Sequence, residues 1–209
     1  MPIEQIHNTA FDDNSIASHA VLRNTYFLLS LTLLFSAVCA YFSFINHARF
    51  PGVLVFLIGS YGLLFLTSYL SKSAWGLVSI FGFTGFMGYI LGPLLQSSLK
   101  LPNGANLVAT ALGMTGLIFF SLSAVVLLTR KDFGFLTNFL FAGFIALLGA
   151  MVISIFWHVP ALYLAISAGF AIFASLMIIF ETSQIIHGGQ TNYILATINL
   201  YVAIYNLFT

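Results

Sequence analysis

Seven long apolar runs, each separated from the next by a short polar or helix-breaking cluster, organise the chain. They cover approximately residues 25–44, 51–69, 74–95, 107–128, 135–156, 161–180 and 193–208. Most are close to the roughly 20 residues that a helix needs to cross a bilayer core. The breaks hold what hydrocarbon excludes or helices avoid: Asn46 to Arg49 ahead of Pro51; Ser71, Lys72 and Ser73; Lys100, Pro102, Asn103 and Gly104; Arg130, Lys131 and Asp132; Trp157, His158 and Pro160; and His187 to Thr191 around Gly188 and Gly189. Sustained alternation of apolar and polar positions, the mark of a membrane strand, is missing, and every backbone group in lipid must find a partner inside the protein. The pattern therefore predicts an all-α, polytopic membrane protein with seven transmembrane helices, neighbours antiparallel across short loops.

Residues 1–20 stand apart. They are polar, without helical periodicity, and carry Glu4, Asp12 and Asp13, three of the five acids. Such a segment cannot bury enough apolar surface to order itself. The expected organisation is a flexible N-terminal tail, 1–20, followed by one transmembrane domain, 21–209. With no Lys or Arg in those first residues, a cleaved signal peptide is not expected and the first span should stay.

Composition agrees, with 60% hydrophobic and 5% charged residues against roughly 45–50% and 25% in soluble domains. Six scattered Lys and Arg and a formal charge of +1 make no phosphate-binding surface, so nucleic acid is not an expected partner. Cys39 is a lone cysteine inside the first run and can form no disulfide within the chain. Positive charge is retained on the cytoplasmic side during insertion. A cytoplasmic N-terminus puts Arg23, Lys72, Arg130 and Lys131 inside and Arg49 and Lys100 outside, four against two. The C-terminus would then emerge opposite, although a seventh run of this length need not cross completely.

Candidate chemistry is sparse. Gly82, Gly85, Gly88 and Gly92 form one stripe on the third span, where another backbone can approach closely. Helix packing is the plainer account. The alternatives are a scaffold that associates through this stripe, or a transport path where Gly92-Pro93 frees a carbonyl and kinks or ends the helix. Glu181 closes the sixth run directly after Phe180. A carboxylate at membrane depth is costly and tends to face the bundle or a watery cavity, so Glu181 is the candidate ion or proton site; the plainer account is an interfacial residue at a helix end. Lys72 or Arg130 could be its basic partner. No other span holds a carboxylate, and stable calcium chelation by several oxygens is not expected. His158 and His187 lie in loops without metal-ligand spacing. Asp132 is the sole aspartate beyond the tail, and Gly59-Ser60-Tyr61-Gly62 lacks the nucleophile-elbow spacing. No catalytic, metal or cofactor-binding residue is assigned, and an enzyme is not expected.

The last third is more specific. Phe180-Glu-Thr-Ser-Gln-Ile-Ile-His-Gly-Gly-Gln-Thr-Asn-Tyr193, then Ala196-Thr197 and Leu200-Tyr-Val-Ala-Ile-Tyr-Asn-Leu-Phe208, resembles the C-terminal signature of the Bax-inhibitor membrane family. The blocks Leu22 to Leu33, Phe83 to Pro93 and Thr129 to Leu136 are similar to its bacterial YccA-type branch, so the likeness covers nearly everything after Ala20. It implies a Bax-inhibitor fold in which a central C-terminal helix is wrapped by the other six. It also implies a multi-pass protein of the bacterial inner membrane that modulates FtsH, a membrane-anchored ATP-dependent (AAA) protease, as a slowly processed substrate or inhibitor with the tail as handle. Besides membrane lipids and that protease, calcium or protons are possible partners, because other family members form a pH-sensitive calcium leak with facing aspartates on helices six and seven. Here the first position of that pair is matched by Glu181, and the second falls on Ala203. A carboxylate opposite alanine cannot titrate as a coupled pair.

Overall fold

The computed structural model describes residues 3–157 and 159–209, with side chains from Ser18 onward apart from that of residue 155. Seven helices follow in order: α1 (Ile3–Ile45), α2 (Val53–Leu70), α3 (Trp75–Leu99), α4 (Gly104–Thr129), α5 (Leu136–Phe156), α6 (Pro160–Ile186) and α7 (Tyr193–Phe208). Six have described stretches long and apolar enough to cross a membrane, α1 through Ser18–Ile45; α7 is apolar but shorter. At about 1.5 Å per residue, its 16 residues reach roughly 24 Å, short of a core of about 30 Å. Residues 1, 2 and 158 lie outside the described residues, and of residues 3–17 of the expected tail only the helical backbone of α1 is described.

The breaks act as their chemistry predicts. Gly52, ahead of α2, has φ 100° and Gly188 has φ 73°, a region that costs glycine nothing. Asn103 and Arg130 take the left-handed conformation at the start and end of α4. Pro160 opens α6, where a missing N–H costs no helical bond. The Asn192 side chain accepts hydrogen bonds from the Ile194 and Leu195 amides and so caps α7.

Two helices continue well past the C-terminal ends of their apolar runs. α3 continues through Pro93 to Leu99. Proline has no N–H for the carbonyl four residues back, that of Tyr89, and the Ser43 hydroxyl of α1 donates to it at 2.7 Å instead. Because the freed acceptor is satisfied from a neighbour, the helix need not end. α6 likewise continues past Phe180 to Ile186, so Glu181 lies within the helix and not at its end.

α7 is the axis. It packs against α1, α2, α3, α4 and α6, while α5 touches α6 alone among the described helices. Ile194, Ala196, Ile198, Leu200, Tyr201 and Ala203 of α7 are buried, with Leu29 of α1, Ile80 and Phe83 of α3, and Ile178 and Ile185 of α6 around them. The glycine stripe serves packing within the chain. A Cβ on Gly85 would strike Phe35, one on Gly88 the backbone of Ser36, and one on Gly92 the side chain of Ser43, all on α1; Gly82 faces open space. Three glycines thus let α3 lie directly on α1.

Candidate functional site

Glu181 sits five residues before the end of α6, on the side facing α7, and is 4% exposed. Asn199 of α7 donates its Nδ2 to Glu181 Oε1 at 3.1 Å. The Gln190 side chain, from the turn between α6 and α7, is the other polar group beside the carboxyl. Gln190 Oε1 accepts the Asn192 N–H at 3.1 Å, which fixes the turn. Neither Lys72 nor Arg130 is a partner: the carboxyl group is met by two amides. Ala203, one helical turn beyond Asn199, is buried and carries no polar atom on its side chain. The group that answers Glu181 across the helix pair is therefore neutral and one turn earlier than Ala203.

Around it, α6 is tied to its neighbours by side chains to which the sequence reading gave no role. Ser183 Oγ accepts the Phe133 N–H at 2.9 Å. His187 places Nδ1 2.9 Å from the Ser183 carbonyl and Nε2 3.1 Å from the Arg130 carbonyl. His187 thus pins the α4–α5 connection to the end of α6. Asn192 donates to the Ser71 carbonyl at 3.0 Å and holds the α2–α3 turn to the start of α7. The Tyr26 and Thr182 hydroxyls lie 3.5 Å apart.

The opposite half of the bundle is organised by Tyr201. Its hydroxyl lies 2.6 Å from Ser36 Oγ and donates to the Thr84 carbonyl at 3.3 Å, joining α7 to α1 and α3. Beyond it opens a cavity of about 350 Å³ between α1, α3, α4 and α7, where Tyr205 and Thr115 are the other polar linings of note. Thr115 Oγ1 is buried without a hydrogen-bond partner.

Among the described residues no group of three His, Cys, Asp or Glu comes together to hold a metal ion. A single carboxyl group between two amides is a hydrogen-bonding unit. It offers neither a nucleophile beside a base nor the several converging oxygens that calcium takes. Asn199 carried a usable signal, an amide inside an apolar helix. Tyr201 did not, since tyrosine also belongs at membrane interfaces.

The fold and this site define a polytopic helical membrane protein built around a short central helix. The family model described as inhibitor of apoptosis-promoting Bax1 matches residues 18–209, and the chain belongs to that family. An uncharacterized protein of Pseudomonas aeruginosa is 60% identical over 188 residues, 90% of this chain and 85% of that protein. The Escherichia coli K12 protein named modulator of FtsH protease YccA is 52% identical over 207 residues, 99% of this chain and 94% of that one. A protein of Escherichia coli O6:H1 with the same identity and coverage is named inner membrane protein YccA.

Proposed function

We propose that this chain is an inner-membrane modulator of an FtsH-type ATP-dependent protease, which it engages as a slowly processed substrate or inhibitor and does not assist as a catalyst. The observation carrying this is the 52% identity to a protein named as such a modulator, over 99% of the chain. The interlocked helical body supports it. A bundle whose central helix is bonded to its neighbours through Glu181, Thr197 and Tyr201 resists extraction from the membrane. Residues 1–20, cytoplasmic in this reading, are the segment an ATPase could grip first, since a polar, acidic stretch needs little unfolding. Co-purification with the protease, and the rate at which the protease processes full-length chain and a variant lacking residues 1–20, tests the idea. Loss of processing on removal supports the tail as handle; unchanged processing defeats it.

A second reading, a pH-sensitive cation leak, draws on the cavity beyond Tyr201 and on the buried Glu181. It is weakened by Ala203 and by the amide partners of Glu181. Purified protein in vesicles loaded with a calcium dye tests it: flux that Glu181→Gln leaves unchanged removes Glu181 from any gate.

A further inference from the structure

α1 and α4 face one another across a seam in which their backbones make no close approach. What bridges them is a ring pair, Tyr26 and Phe119, with centroids 5.9 Å apart. On the Glu181 side of that pair the seam widens into a pocket of about 710 Å³, lined by His19, Ala20, Leu22, Arg23, Tyr26 and Leu127. The lining has three parts. Leu22 and Leu127 give an apolar floor, Tyr26 has the amphipathic character of a residue at the membrane interface, and Arg23 is an exposed cation on the wall. Among the described residues, none that lines it is acidic. Arg130 and Lys131 follow Leu127 by three and four residues, with Asp132 next in the chain, and the Arg130 carbonyl lies 3.1 Å from His187 Nε2, so two more cations and one acid lie at the same end of the bundle.

We propose that this pocket binds an anionic phospholipid of the surrounding bilayer, its phosphate on Arg23 and the upper part of an acyl chain between Leu22 and Leu127. An apolar slot between membrane helices with a guanidinium at its mouth matches both halves of such a molecule. Arginine's planar fork meets phosphate oxygens in pairs, and basic pockets between membrane helices are where anionic headgroups lodge. A zwitterionic lipid offers the same chain, but its own ammonium group meets Arg23 unfavourably.

Native mass spectrometry of the full chain in neutral detergent, titrated with phosphatidylglycerol or phosphatidylcholine of identical acyl chains, tests this. Phosphatidylglycerol should bind at least about fivefold more tightly, the effect of roughly one cation or ~1 kcal/mol. Arg23→Gln should remove most of that preference, and Leu127→Trp, which fills the slot, should weaken both lipids. Arg49→Gln, at the opposite end, should leave it intact. Equal binding of the two lipids overturns the proposal, as does an Arg49→Gln loss matching that of Arg23→Gln, which would be a general effect of surface charge. A photoreactive side chain at position 127 should cross-link to lipid. A cross-link to residues 1–17 or to a second copy instead would assign the pocket to that occupant and overturn the proposal.

Discussion

α5 and α7 are both apolar helices, and hydropathy ranks them the wrong way round for structure. α5 meets the criteria for a membrane span, yet few of its residues are buried; α7 is too short to meet them, yet forms the axis. In water burial follows hydrophobicity, but lipid is as apolar as leucine, so burial in a membrane follows close packing and hydrogen bonding instead. α7 holds Thr197, Asn199 and Tyr201, each bonded to another helix. α5 shows Phe139, Phe141 and Ile145 to the outside.

The largest effect should come where that rule is most crowded. Leucine at Gly88 would drive a side chain into the Ser36 backbone, and Gly88→Leu is expected to cost about 3 kcal/mol or more, the upper range for overpacking. Gly82→Leu, on the same helix but facing open space, should be nearly neutral. Unfolding in mixed micelles by rising dodecyl sulfate measures both, and equal costs would show that the stripe is not what seats α3 on α1.

Next comes the central tyrosine. Tyr201→Phe keeps the ring against Phe83, centroids 5.9 Å apart, but deprives Ser36 Oγ and the Thr84 carbonyl of their partner. A loss of about 1–2 kcal/mol is expected in the same assay. If the hydroxyl pair is the cause, adding Ser36→Ala should cost less than the sum of the two single changes; strict additivity would locate the effect elsewhere.

The same contrast explains how much could be read from the residues alone. The breaks were legible because Gly188, Asn103 and Pro160 each do one local thing: a positive φ, a left-handed helix entry, a helix start. The number of helices followed. The central place of α7 was not legible from hydropathy and came through the family resemblance, because what makes it central is which neighbours its polar side chains meet. Glu181 was singled out for its cost in lipid, but its place inside α6 was missed: the helix continues through Thr182, Ser183 and Gln184, residues that end an apolar run without ending a helix. Asn199, its hydrogen-bond partner, is 18 residues away in sequence, a pairing that no local pattern announces.

A smaller effect is expected at the entry to the axis. Asn192→Ala removes both the cap on α7 and the bond to the Ser71 carbonyl, for about 1 kcal/mol. Asn192→Asp keeps the capping oxygen but not the donor to Ser71, so its cost should fall between alanine and the parent. If aspartate proves as costly as alanine, the tie between α7 and the α2–α3 turn, and not the cap, is what holds the axis in place.

The smallest effect belongs to α5. Phe141 is 68% exposed on the outer face of a helix that, among the described helices, touches α6 alone, so lipid can cover leucine there as well as it covers phenylalanine. Phe141→Leu should change stability by less than about 0.5 kcal/mol and leave the protein's size in detergent unchanged. The number matters because the contrast between α5 and α7 assumes that lipid alone covers α5. A purified chain insensitive to Phe141→Leu that nevertheless lost co-purification with the protease would show the outer face of α5 to be covered by that partner. The helix that looks most like a passive membrane span would then be a binding surface, and its exposure would describe the isolated chain alone.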